Sequence, residues 1–134
     1  MAQIIIPVAK LLYVCDDVVR DPHSGKVSVL NLWENVRVTN GGFPYELAKI
    51  CVFAQFRGGS GDIPFHLEIA PTDSAVLFHE RIEFVLGFRD RMKTHYASIK
   101  LHNVVFPAAG MYVVELYCNQ EFVDDQPIEI FSDF

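Results

Sequence analysis

Apolar and polar residues alternate with a period of two along much of the chain. Ile63, Phe65, Leu67 and Ile69 share one parity with Pro64, His66 and Glu68 between them. Ile82, Phe84, Leu86 and Phe88 stand against Arg81, Glu83 and Arg89, and Ala97, Ile99 and Leu101 against Ser98, Lys100 and His102. Successive side chains of an extended strand point to opposite faces, so this rhythm predicts strands with one face on a core and one toward water. Val8 to Cys15, Val27 to Val38, Ile50 to Phe56 and Met111 to Asn119 read as four more strands, and Ile128 to Phe131 as a short last one. Turn signals cut the chain into pieces of about 8–14 residues, the spacing of a sandwich or barrel. The expected fold is all-β: an antiparallel β-sandwich of immunoglobulin-like or fibronectin-like character with about eight strands, forming one domain over residues 1–134.

The connections carry turn chemistry. In Asp21-Pro22-His23-Ser24-Gly25, Pro22 presets φ, Asp21 can accept a backbone N–H and Gly25 can take a left-handed conformation, which predicts a hairpin between the first two strands. Asn40-Gly41-Gly42 reads as the end of the second strand, Phe43 to Leu47 as a single helical turn, and Gly58 to Gly61 and Pro71 to Ser74 as hairpin tips. Gly110-Met111-Tyr112 predicts a tyrosine corner, the ring on the core and the hydroxyl on nearby backbone. Trp33, the sole tryptophan, reads as a core anchor.

The 134 residues suffice for a hydrophobic core without staples, and an apolar share of 51% argues against disorder. A formal net charge of −6 speaks against binding the phosphate backbone of nucleic acids. Cys15, Cys51 and Cys118 sit at unrelated spacings in apolar runs and read as buried, reduced thiols. The first residues carry no positive charge ahead of their apolar stretch, and Lys10 interrupts it, so neither a signal peptide nor a membrane span is read and the cytoplasm is the expected location.

Two stretches resemble an uncharacterised bacterial family of small all-β proteins of unknown function. One is Cys15-Asp16-Asp17-Val18 with Ser24-Gly25-Lys26-Val27-Ser28-Val29, Phe43-Pro44 and Leu47 to Lys49; the other is Phe106-Pro107-Ala108-Ala109-Gly110-Met111-Tyr112. The resemblance spans roughly Val14 to Ile130 and implies a fold and no activity.

Few residue patterns point to chemistry. Asp16 and Asp17, with Asp73 from a second loop, could ligate a hard cation, the alternative being carboxylates that cap backbone N–H groups and meet Arg20 or Lys26. The five histidines lack zinc-motif spacing and read as surface groups. No cysteine lies in a basic context, no Gly-x-Ser-x-Gly elbow is present, and Gly58 to Gly61 lacks the lysine of a phosphate cradle, so no catalytic site and no cofactor are expected. Residues 81–100 carry a charge of +3 and residues 101–134 one of −6, a polarity that could steer association. Arg89, Arg91 and Lys93 would share one face if extended, making a small strip for an anion or partner. The expected function is a binding or accessory role, engaging a protein partner or a second copy through loops or a sheet edge; the alternative is a cation-dependent ligand or lipid binder using the Asp cluster.

Overall fold

A computed structural model describes residues 4–38 and 42–132. The described residues are all-β, with nine strands: β1 (Val8–Arg20), β2 (Val27–Leu32), β3 (Asn35–Val38), β4 (Tyr45–Arg57), β5 (Gly61–Pro71), β6 (Glu80–Phe88), β7 (His95–Phe106), β8 (Gly110–Cys118) and β9 (Glu121–Ser132). They form a four-stranded sheet, order β2-β1-β4-β7, and a five-stranded sheet, order β3-β9-β8-β5-β6. The four-stranded sheet curls into a half-barrel. This differs from two evenly stacked layers of an immunoglobulin-like sandwich.

Nine strands replace the expected eight because the stretch Val27 to Val38 is two strands. Asn31 takes a left-handed φ of 55°, and the chain leaves β2 at Trp33 and Glu34 to enter the other sheet as β3. There β3 runs parallel to β9, so the sheets are not purely antiparallel. The helical turn expected over Phe43 to Leu47 is also corrected. Tyr45 already pairs with Phe106 and Leu47 with Val104, so the segment starts β4. Gly58 to Gly61 is not a hairpin tip, since it carries the chain from β4 in one sheet to β5 in the other. Asn40 and Gly41 of the expected second-strand terminus lie outside the described residues.

The core lies between the sheets. The expected apolar parity of β5 is buried there as Ile63, Phe65, Leu67 and Ile69, joined by Leu12, Val14, Ile50, Val52, Ala54 and Phe56 from the opposite sheet. Phe56 meets Phe65 and Phe88 edge-on at 5.1 and 5.9 Å between ring centres, favoured geometries for ring quadrupoles. Tyr112 closes one end as expected. Its ring lies against Phe78 and Phe106, and its hydroxyl donates to the Ala108 carbonyl at 2.6 Å.

The hairpins follow their turn residues. Asp21 Oδ1 accepts from the His23 and Ser24 N–H groups, and Gly25 sits at φ 74°. Between β8 and β9, Asn119 and Gln120 both take positive φ, the type I′ pattern whose twist suits a two-residue loop. The free side of β9 is blunted. The N–H of Glu129 points away from β8 to Glu34, and by alternation those of residues 127 and 125 point the same way. Residue 127 is proline, and the Asp125 N–H is taken by Asp124 Oδ1 at 2.8 Å, so that edge offers few donors to an incoming strand.

Tyr112→Phe removes the donor to Ala108 while keeping the ring, and is expected to lower unfolding free energy by about 1 kcal/mol in urea denaturation, with an unchanged m-value.

Candidate functional site

The feature that stands out is the outward face of the four-stranded sheet, which is apolar where an ordinary half-buried sheet would be polar. In β4 the residues Ile50, Val52, Ala54 and Phe56 go to the inter-sheet core, yet Cys51 and Phe53 between them are buried as well. A register shift between Ala9 and Leu11 of β1 sets Leu11, Tyr13 and Cys15 beside them. What covers this face is the β1–β2 hairpin. Pairing of β1 with β4 ends at Cys15 and Cys51, and beyond it Val18, Val27 and Val29 pack back onto Cys15, Cys51 and Phe53.

Asp16 and Asp17 hold this bend. Asp16 accepts from Trp33 Nε1 at 2.6 Å and from Asn31 Nδ2 at 2.7 Å, tying the end of β2 to β1. Asp17 accepts from the Val18 N–H at 2.8 Å and pairs with Lys49 of β4 at 3.1 Å and Lys100 of β7 at 3.4 Å. The Val18 amide, then the lysine ammonium groups, hold its carboxyl below the usual range. Both aspartates thus have their oxygens engaged within the sheet. Asp73 lies in the β5–β6 loop of the other sheet, where its Oδ1 takes the Ala75 N–H and Thr72 donates to Met111 of β8. The structure therefore brings Asp16 and Asp17 together and leaves Asp73 with its own loop. Among the described residues no group of three or more His, Cys, Asp or Glu is arranged to hold a metal ion.

The hairpin does not close over the whole face. A cleft of about 610 Å³ remains, walled by Leu11, Tyr13, Val27, Val29 and Phe53, with Ser24 to Lys26 of the turn on one rim and Gln55 and Tyr96 on the other. Phe53 and Tyr96 stack with ring centres 5.5 Å apart. Under the hairpin, Cys15 Sγ donates to the Cys51 carbonyl at 3.6 Å, and Cys51 Sγ lies 3.6 Å from Ser98 Oγ. Burial, then the neighbouring Cys51 and the Asp16 and Asp17 charges, push the Cys15 thiol up to about 12. Burial pushes Cys118 up to about 11.

The Arg89, Arg91 and Lys93 strip is corrected. β6 ends at Phe88, and the residues after it form a turn in which Lys93 N–H bonds to the Asp90 carbonyl and Met92 N–H to Asp90 Oδ1. A turn does not keep the two-residue alternation that would align the three cations. Arg89 pairs with Asp62 at 3.0 Å, and Arg91 Nε reaches the Gly58 carbonyl.

One cluster was missed. His66, read as water-facing, is only 7% exposed, covered by Tyr117, whose ring stacks on it at 4.5 Å. Glu68 joins two imidazoles, His66 Nε2 at 3.2 Å and His79 Nε2 at 2.7 Å, linking the β5–β6 loop to β5. The His79 and His66 hydrogen bonds hold the Glu68 carboxyl below its usual range against a desolvation that raises it. The only signal in sequence was the His-x-Glu spacing of His66 and Glu68; His79 lies eleven residues further on, and register alone brings Tyr117 opposite His66.

Fold and site together define an all-β domain of two sheets with an apolar cleft roofed by a hairpin. Residues 10–131 match the model of a family of unknown function, DUF6941, and the chain belongs to that family. No curated protein matches it. Among solved structures it is similar to Pseudomonas fluorescens alkylpurine DNA glycosylase AlkC bound to DNA containing an abasic site analog, at 11% identity and a TM-score of 0.49, over 89% of this chain and 30% of that one.

Two outcomes are expected. With burial holding Cys15 and Cys118 protonated, none of the three buried cysteines should react with Ellman's reagent in the native protein near pH 8, and all three should react in urea. Glu68 has a folded pKa below its unfolded one, so its contribution is present above the unfolded value and is lost as pH falls through the folded one. Glu68→Gln should therefore flatten the fall of melting temperature below about pH 4.5 relative to the parent chain.

Proposed function

We propose that the chain is a non-catalytic binding module that engages another protein, or a second copy of itself, through the open edge of β7 and the loops beside it. The observation that carries this is the edge itself. β7 runs from His95 to Phe106, pairs with β4 on one side only, and presents Tyr96 and Val105 at 44% and 41% exposure. An unpaired strand of this length offers a row of backbone donors and acceptors to an incoming strand, with alternate side chains to select it. The other edges suit the role less well. β3 has four residues, β2 has six, β6 carries the Arg81–Glu83 ion pair, and the free stretch of β9 is blunted by Pro127 and Asp124. The immunoglobulin-like or fibronectin-like kinship expected of the chain belongs with this proposal, supported by the Tyr112 corner.

Val105→Asp places a charge on the edge without touching the core. Companions captured from the native host by the parent chain are expected to be lost by this variant, and any self-association in sedimentation velocity to weaken. Equal recovery of companions by both chains, with a monomeric parent at high concentration, would overturn the proposal.

A further inference from the structure

The cleft beneath the β1–β2 hairpin carries an inference that goes beyond edge pairing and does not depend on it. We propose that this cleft is a binding site for a small amphipathic anion, a flat apolar body with a single acidic head. Three observations converge on that chemistry. Its volume, about 610 Å³, falls in the range of small-molecule sites, roughly 300–1,000 Å³. Its walls are aliphatic and aromatic; Phe53 is buried at its floor, and the exposed Tyr96 ring stacked on it and the partly buried Tyr13 offer planar surfaces on which a flat group can lie.

The third observation is charge. Lys26 is the one Lys, Arg, His, Asp or Glu among the ten lining residues, and its ammonium enters no ion pair among the described residues. By contrast Lys49 and Lys100, on the same outer face, are both held by Asp17. An unengaged cation at the rim of an apolar cleft selects a ligand with one negative group at one end, and it makes a charge-assisted contact stronger than a neutral one. Ser24 Oγ, which accepts from the Lys26 N–H at 3.2 Å, stands on the same rim and keeps its own hydroxyl proton to offer such a head.

The probes that test this are 1-anilinonaphthalene-8-sulfonate and its uncharged analogue N-phenyl-1-naphthylamine, titrated by fluorescence against the full chain. One saturable site for the sulfonate is expected. Lys26→Gln, on an exposed turn, should weaken the sulfonate by about five- to tenfold and the uncharged probe by less than about twofold, the signature of a charge contact. Val29→Asp in the wall and Tyr96→Ala on the rim should weaken both probes, and Leu77→Ser, on an exposed loop of the other sheet, neither. Circular dichroism establishes that each variant is folded; Tyr96→Ala covers the case in which Val29→Asp disrupts the hairpin. The inference is overturned if no saturable site appears, if Lys26→Gln affects both probes equally or neither, or if Leu77→Ser matches Tyr96→Ala. Since Val105→Asp reports on the β7 edge alone, failure of either idea leaves a result that reads independently on the other.

Discussion

The architecture depends on β4 being apolar on both faces. Between Ile50 and Phe56 its even-numbered residues fill the core and its odd-numbered ones, Cys51 and Phe53, need a second cover. At about 25 cal/mol per Å² of apolar area removed from water, leaving Phe53 bare would forgo stabilisation comparable to a whole core side chain. The five-stranded sheet supplies one cover and the folded-back β1–β2 hairpin the other. The cleft remains where the folded-back part, the end of β1 beyond Cys15 with the six-residue β2, leaves the outer face open.

The bend that brings the hairpin back has a local cause. Asp16 and Asp17 lie where β1 parts from β4, and each answers a different demand: Asp16 satisfies the Trp33 and Asn31 donors as β2 ends, while Asp17 caps the stranded Val18 N–H and links three strands through two lysines. A buried or half-buried donor without a partner costs more than a typical hydrogen bond contributes. Adjacent carboxylates at this place are thus explained by backbone and indole donors without an ion.

Much of this could be read from residue order, and what could not has physical reasons. β5, β6 and β7 show a clean period of two because each has one face on the core, and Asp21 to Gly25 spells its turn. The run Ile50 to Phe56 was legible as a strand, and its lack of alternation held the signal of burial on two faces; nothing in it says that the second cover is a hairpin from thirty residues earlier. The division of Val27 to Val38 was hidden because Asn31, Trp33 and Glu34 break the strand through a left-handed residue and tertiary hydrogen bonds, with no Gly or Pro to mark it. The Arg89, Arg91 and Lys93 strip rested on extension, and Asp90 instead caps a turn there. His66 follows strand parity, yet Tyr117 from a strand fifty residues away covers it.

The distribution of charge completes the case for an anion site on a chain whose net charge is −6. Glu115, Glu121, Asp124, Asp125 and Glu129 all belong to β8 and β9 in the five-stranded sheet. Stacked sheets lie about 10 Å apart, and the Debye length at physiological ionic strength is about 8 Å, so those acids are largely screened from the far face of the other sheet. On that face Asp16 and Asp17 are engaged by Trp33, Asn31, Lys49 and Lys100, and Asp21, in the same turn as Lys26, has its carboxylate on the His23 and Ser24 N–H groups. A ligand entering beside Lys26 therefore meets its ammonium at an apolar wall, with the Arg20 guanidinium on the Gly25 carbonyl and the N–H-bonded Asp21 carboxylate in the same turn, rather than the sum of charge over the molecule.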